Sequence, residues 1–351
     1  MNYSEIDGLK YIMEQKECAQ KRGEFPTHIP GHASSYTKIF ADIEEYMNKN
    51  IHVNVTLGAA SAGDGMLNDH GEEHVAMVME RAYMILGENA EKLLGYEIFF
   101  LLLSIHFHDV GNILGREGHE EKIDEVFEAL GELFPLDHIA QRVIREIAMA
   151  HGGSVNGDKD TIACVQESDY IDGINIRMAL LAAILRYADE IADDKNRASS
   201  FLTRVGAVPK KNQVFHVYSL ALEPPVIKGD TLVLMYNIEN KYLNNKVSKN
   251  DTEVFLYDEI LVRLQKCLCE LEYCRKYSQG FIKVSCFSVS ICVWNQNGHK
   301  SIYTDTFRLR LSGYPNISAY NLQTFYINSN IRAKDAIKLI DIIKEEEKDV
   351  E

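Results

Sequence analysis

Apolar residues recur at helical spacing through the first two hundred positions. Ile6, Leu9, Ile12 and Met13 form one stripe within 4–22, which predicts an amphipathic helix. Residues 24–35 interrupt the period with Pro, Gly and Ser and read as a loop; 36–49 resume as a helix. A run of small residues at 59–71 leads into Asp69, a good N-cap, with Glu72 three residues later as in a capping box. The helix starting there should stop before Gly87. Residues 90–109 are apolar nearly all round, from Leu93 and Leu94 to Ile105, and predict the central buried helix. Further helices are expected over 119–133, 137–150, 160–172 and 176–192.

Beyond position 200 the period changes. Residues 213–222 and 230–238 read as strands joined by Pro224, Pro225 and Gly229. A long helix is expected over 252–278. Strands are expected over 282–294 and 306–311, with Asn297-Gly298 turning between them. A short strand at 322–327 and a helix over 332–347 would close the chain. The fold class this predicts is α+β: an all-α helical bundle over 1–200, followed by a smaller α+β domain over 201–351.

Charge supports that division. The formal net charge of −15 comes from 37 Lys and Arg against 52 Asp and Glu. Residues 1–200 hold 17 basic and 35 acidic side chains, a balance of −18; residues 201–351 hold 20 and 17, a balance of +3. The acidic total argues against a general nucleic-acid coat, which needs a cationic surface. No window reaches the roughly 18 unbroken apolar residues of a membrane span. The first twenty residues carry early acids and no apolar core, unlike a secretion signal. The expectation is a cytoplasmic protein with no membrane partner. Seven cysteines, an odd number without an export signal, read as buried reduced thiols rather than a disulfide framework.

Ten of the 12 histidines lie at or before His151. Several stand with aspartates at the ends of the expected helices. His74 lies early in the helix after Asp69. His108 and Asp109 close the central helix, His119 opens the next, His151 follows another, and Asp189 ends the apolar helix at 176–192. Helix ends converge in a bundle, so residues distant in sequence can meet there. A mixed shell of imidazole and carboxylate suits a divalent ion, one or two of Mn, Fe, Ni, Co, Zn or Mg. A carboxylate between two ions, as Asp109 would be, can bridge them.

The segments NDHGEEHVAMVMERA (68–82), HFHDVGNILGREGHEEK (106–122), AMAHGG (148–153) and LLAAILRYADEIADD (180–194) carry these residues in order. That order resembles the HD superfamily of metal-dependent phosphohydrolases. The resemblance implies that His74, His108, Asp109 and Asp189 bind one metal, and that His119 and His151 stand where members with a second ion carry further histidines. It departs from the cyclic-dinucleotide-cleaving subset, which favours Lys where this chain has Asn112. The second half loosely resembles the α+β extension of stand-alone HD proteins associated with bacterial conflict and chaperone systems.

Other residues near the series are candidates for chemistry. Glu73 flanks the first ligand and could act as acid or base, against a reading as a solvated side chain. Arg116 could contact the reacting phosphate, or pair with Glu117 or Glu120. His70 and Asn112 are candidate substrate contacts, as are Lys195 and Arg197, the cations that follow Asp189. His106 could orient Asp109 or be a packed core histidine. Arg308 and Arg310 share one strand face that would suit an anion. Trp294 reads as core.

The leading expectation is therefore a metal-dependent phosphohydrolase acting on a nucleotide or phosphodiester. Its partner would be a phosphorylated small molecule or nucleotide, and a homo-oligomer is compatible with the sequence. Two alternatives stand: an HD-type nuclease on single-stranded nucleic acid, and a non-catalytic metal-containing nucleotide sensor or partner-binding subunit.

Overall fold

The computed structural model describes residues 8–31, 34–55, 71–114, 122–131, 134–155, 157–250, 252–295, 300–310 and 335–348. The expectations placed on Asp69, Asn297-Gly298 and 322–327 lie outside these residues. The chain packs into two compact units: Met1–Ala192 with Tyr273–Lys283, and Asp193–Glu272 with Val284–Glu351.

The first unit is built on helices. Helix α1 (Gly8–Cys18) buries Leu9, Ile12 and Met13, the stripe its spacing predicts. Helix α2 (Tyr36–Tyr46) starts at Ser35, whose hydroxyl accepts from Lys38 N, and runs into a π-helical turn over Met47–His52. Helix α3 (Glu72–Leu86) has Gly71 at its cap position. This corrects the expected capping box: Glu72 opens the helix, and Glu72 and Glu73 bring negative charge to its positive end instead.

Helix α4 (Gly95–Phe107) is buried at every residue. It is shorter than the expected 90–109 because Gly87–Lys92 forms a 3-10 turn and the chain extends at Leu93 and Leu94. Gly95–Leu114 is apolar and long enough to cross a membrane by composition, but here it forms the interior of the protein. α4 packs against α1, α2 and α3, and against α6 and α7 introduced below. Its start is locked by Glu97. This fully buried carboxylate accepts from Leu94 N at 2.9 Å and from the Arg177 guanidinium at 2.6 and 2.7 Å.

Helix α5 (Ile123–Leu130) and helix α6 (His138–Met149) follow, the latter capped by Asp137 accepting from Ile139 N and Ala140 N. The expected helix over 160–172 is absent. A 3-10 turn at Ile162–Cys164 leads instead to an antiparallel hairpin of β1 (Asp169–Ile171) and β2 (Ile174–Ile176). Asp172 and Gly173 both hold positive φ, 51° and 82°, which is the Asp-Gly turn of a two-residue hairpin. Helix α7 (Met178–Glu190) completes the bundle.

In the second unit, 213–222 is a helix, not a strand. Helix α8 (Gln213–Ala221) buries Val214, Val217, Tyr218 and Ala221, spaced i, i+3, i+4 and i+7. That stripe outweighs the β-branched and aromatic content on which a strand was expected. Then come β3 (Val226–Lys228), β4 (Thr231–Glu239), a small hairpin of β5 (Val247–Lys249) and β6 (Thr252–Val254), and the long helix α9 (Leu256–Tyr277). Strands β7 (Cys286–Trp294) and β8 (Ser301–Arg310) precede a last helix, α10 (Ala336–Lys348).

The sheet order is β3-β4-β7-β8, with β4 and β7 parallel and the outer pairs antiparallel. Leu232, Leu234, Tyr236, Phe287, Val289 and Ile291 form its core face. Arg308 and Arg310 lie on the other face and are exposed. Trp294 is half-buried at the end of β7 rather than core, with Nε1 donating to Asn237 Oδ1 at 2.9 Å. The cysteines also differ from expectation: all are free, but Cys18, Cys164 and Cys269 are exposed.

Candidate metal centre

Four ends of secondary structure meet in the first unit. His74 stands in the first turn of α3, His108 at the C-cap of α4, Asp109 just beyond it, and Asp189 in the last turn of α7. His74 Nε2 lies 3.2 Å from His108 Nε2, 3.4 Å from Asp109 Oδ2 and 3.2 Å from Asp189 Oδ1. His108 Nε2 lies 3.5 Å from Asp109 Oδ2 and 3.7 Å from Asp189 Oδ1. His151, following α6, brings Nε2 to 3.7 Å from the other oxygen of Asp109, Oδ1.

These separations test whether a metal fits. Bonds of about 2.1 Å give ligand–ligand edges of about 3.4 Å in a tetrahedral shell and about 3.0 Å in an octahedral one. The observed 3.2–3.7 Å spans the tetrahedral edge and exceeds the octahedral one slightly. The donors are nitrogen and carboxylate oxygen, and His74, His108 and Asp109 form a buried group able to hold an ion. The Asp189 side chain keeps 27% of its exposure, so the cluster is closed on most sides but not sealed.

The local fold aims the imidazoles. The last carbonyls of a helix lack intrahelical donors. His108 Nδ1 lies 2.7 Å from Ile105 O, and His151 Nδ1 2.6 Å from Ala148 O. A carbonyl only accepts, so each Nδ1 carries the proton and donates it. Each Nε2 is thereby turned toward Asp109.

Asp109 is held as well. Asn112 Nδ2 donates to Asp109 Oδ1 at 3.0 Å, so Oδ1 faces Asn112 and His151 while Oδ2 faces His74 and His108. Without an ion, the charges answer one another. Burial would push His108 down, but Asp109 and Asp189 outweigh it and raise its pKa to about 9. Burial would raise Asp189, but His108 and His74 hold it well below the usual carboxylate range.

The sequence of the HD-CE family matches residues 64–266, more than half of the chain, and spans all five of these residues. The chain belongs to the HD-CE family. Searches of curated proteins and of solved structures gave no match. HD-type domains bind divalent metals and are usually hydrolases, which agrees with the His/Asp cluster of this HD-CE chain.

Other expected site residues fall elsewhere. His70, Arg116 and His119 lie outside the described residues. Glu73 is exposed on the first turn of α3, and no contact between described residues brings it to the cluster. Asn112 is buried, with its amide donating to Asp109 Oδ1. Lys195 and Arg197 belong to the second unit. Lys195 pairs with Glu223 at 2.5 Å, and Arg197 lies half-buried in a 3-10 turn capped by Asp194.

His106 does not bond Asp109. Its Nδ1 lies 3.0 Å from His52 Nε2, and its Nε2 3.4 Å from Glu44 Oε1. Burial and the neighbouring histidines push His52 down to about 2, so it is neutral. Arg186, on α7 one turn before Asp189, donates to Lys159 O and Thr161 Oγ1 at 3.1 and 2.7 Å. The sequence offered no signal for that pairing, because Thr161 lies in the segment expected to be helical.

Proposed function

We propose that this HD-CE protein is a metal-dependent phosphohydrolase that cleaves a phosphoester of a nucleotide or other small phosphorylated molecule. The observation that carries the reading is the convergence of His74, His108, Asp109 and Asp189 donors at 3.2–3.7 Å. A divalent ion bound there supplies Lewis-acid charge for a phosphoryl oxygen and lowers the pKa of water.

The protein's own groups do the rest. His74, His108, Asp109 and Asp189 would hold the ion through the donors that converge here. Asp109 presents one oxygen to that set and the other toward His151, the placement of a bridging carboxylate. Asn112 fixes the rotation of this carboxylate through its hydrogen bond to Oδ1. His151 is then placed to bind a second ion or an oxygen of the scissile phosphate. Its Nδ1–H is committed to Ala148 O, so Nε2 is the nitrogen that faces Asp109.

The test is a panel of nucleotides and phosphodiesters offered to protein loaded with Mn, Fe, Ni, Co, Zn or Mg. At least one combination should be hydrolysed, and Asp109→Ala should abolish turnover. Full activity in folded Asp109→Ala would overturn the reading. Binding of a single-stranded oligonucleotide with a steep salt dependence would move the substrate from a small phosphate compound to a polymer.

A further inference from the structure

His151 is the ligand candidate whose position depends most on a loop. It follows the C-cap of α6, and the chain after it runs through 157–164 without a long helix or strand. His151 N donates to Ala148 O at 3.3 Å, the same carbonyl that holds its Nδ1. Those bonds orient the ring relative to α6. They do not fix α6 relative to α7, which carries Asp189 on the other side of the cluster.

A buried polar link makes that connection. The Thr161 hydroxyl donates to Ala150 O at 2.8 Å, on the residue immediately before His151. It accepts from Arg186 Nη1 at 2.7 Å, and Arg186 sits on α7 three residues before Asp189. Thr161 and Arg186 are both 5% exposed. The Arg186 guanidinium also donates to Lys159 O at 3.1 Å and lies 4.5 Å from the Tyr273 ring centroid. Ile162 N donates to Tyr273 Oη at 2.9 Å, and Tyr277 Oη donates to Asp160 Oδ1 at 2.8 Å. The backbone over 159–162 is thus held from both sides.

We propose that Thr161 and Arg186 are positioning residues for His151: they tie the loop that carries it to the helix that carries Asp189, and so set the distance across which a second ion or a phosphate oxygen is held. The inference rests on the reading of His151 as a ligand. A hydroxyl is required at 161 because one group must donate to a carbonyl and accept from a guanidinium at the same time. An arginine is required at 186 because Nη1, which donates to both Lys159 O and Thr161 Oγ1, lies one bond farther from the backbone than a lysine nitrogen, and the planar group lies over an aromatic ring.

The experiment measures binding of manganese alone and of inorganic phosphate alone to the full chain. The proteins are wild type, His151→Ala, Thr161→Val, Thr161→Ser and Arg186→Lys. Whichever ligand His151→Ala weakens, Thr161→Val should weaken about tenfold, in the range found when outer partners of ligands are removed. Thr161→Ser, which keeps the hydroxyl, should bind as wild type does. Binding of the ion held by His74, His108 and Asp189 should be unchanged, whereas a merely structural role would weaken every ligand together. If Thr161→Val does not fold, Arg186→Lys carries the same expectation. The proposal fails alone if His151→Ala weakens a ligand and folded Thr161→Val and Arg186→Lys do not. It also fails if all ligands weaken equally, or if Thr161→Ser is as weak as Thr161→Val. If His151→Ala changes neither ligand, the reading of His151 as a ligand falls, and the proposal with it.

Discussion

The ion-free cluster holds a proton where a metal would sit, and this makes metal affinity depend on pH. His108 Nδ1 keeps its hydrogen on Ile105 O, so the proton that titrates near pH 9 is the one on Nε2, facing Asp109 and Asp189. A metal bound to Nε2 must displace it. With the pKa at about 9, displacement at pH 7 costs about 3 kcal/mol, roughly a hundredfold in affinity. The apparent Kd should therefore fall about tenfold per pH unit between 7 and 9, then level off. The same shift has a sign for folding. Because the folded pKa lies above the unfolded value, the stabilisation of the ion-free protein is full below about 6.5 and is lost as pH rises through about 9. The raised His108 and the lowered Asp189 express one shared interaction, so it counts once for the pair. Calorimetric titration with manganese in two buffers of different ionisation enthalpy counts the protons released, and at least one per ion is expected at pH 7. A Kd that stays flat from pH 6.5 to 8.5, with no proton release, would refute the assignment of His108 as a ligand.

Three further outcomes follow from packing and linkage. Glu97→Gln should destabilise the protein by about 3 kcal/mol in urea unfolding, since it removes a buried charge from Arg177, and Arg177 keeps enough exposure to recover some hydration. Gly95→Ala should cost about 1–3 kcal/mol in the same assay, because the added methyl would overlap the Phe25 ring, which stacks on Tyr36. A chelator added to loaded protein should lower its stability by about 2.7 kcal/mol when the free ion had been a hundred times its Kd, read as a drop in Tm that excess metal reverses.

Much of the fold and of the candidate site was legible in the sequence, and where it was not there are physical reasons. α4 and α7 are readable because thirteen and eleven buried residues in a row leave a nearly continuous apolar signal. The order His74, His108-Asp109, His151, Asp189 was readable because helix ends can be located, and the structure brings these five together. The hairpin at 169–176 overlaps the helix expected over 160–172, and the Asp172-Gly173 turn is the local feature that breaks it. α8 was misjudged in the opposite direction, by weighting residue type over spacing. The bond from Thr161 to Arg186 could not be read at all, since no local rule pairs a loop threonine with an arginine 25 residues later. The return of Tyr273–Lys283 to the first unit left no mark in composition either.

The placement of histidines at helix ends has a consequence beyond recognition. His108 and His151 each use Nδ1 to close a last-turn carbonyl, so each Nε2 is aimed at Asp109 only while its helix is formed. α4 forms because it is buried on all sides, and α6 because Val143, Ile144 and Ile147 pack inward. Ligand geometry is therefore a by-product of core assembly and needs no ion to create it. An exposed loop carrying the same residues would have to lose conformational entropy on binding, about 1–2 kcal/mol for each backbone position fixed. Here that entropy is lost when the bundle folds, which leaves more of the metal's binding free energy available as affinity. His74 fits the same logic from the other side: it is buried in the first turn of α3, where α3 packs against α7. The centre is thus shaped by the ends of four packed helices, and a substitution deep in α4 that frays its last turn should weaken metal binding without touching a ligand.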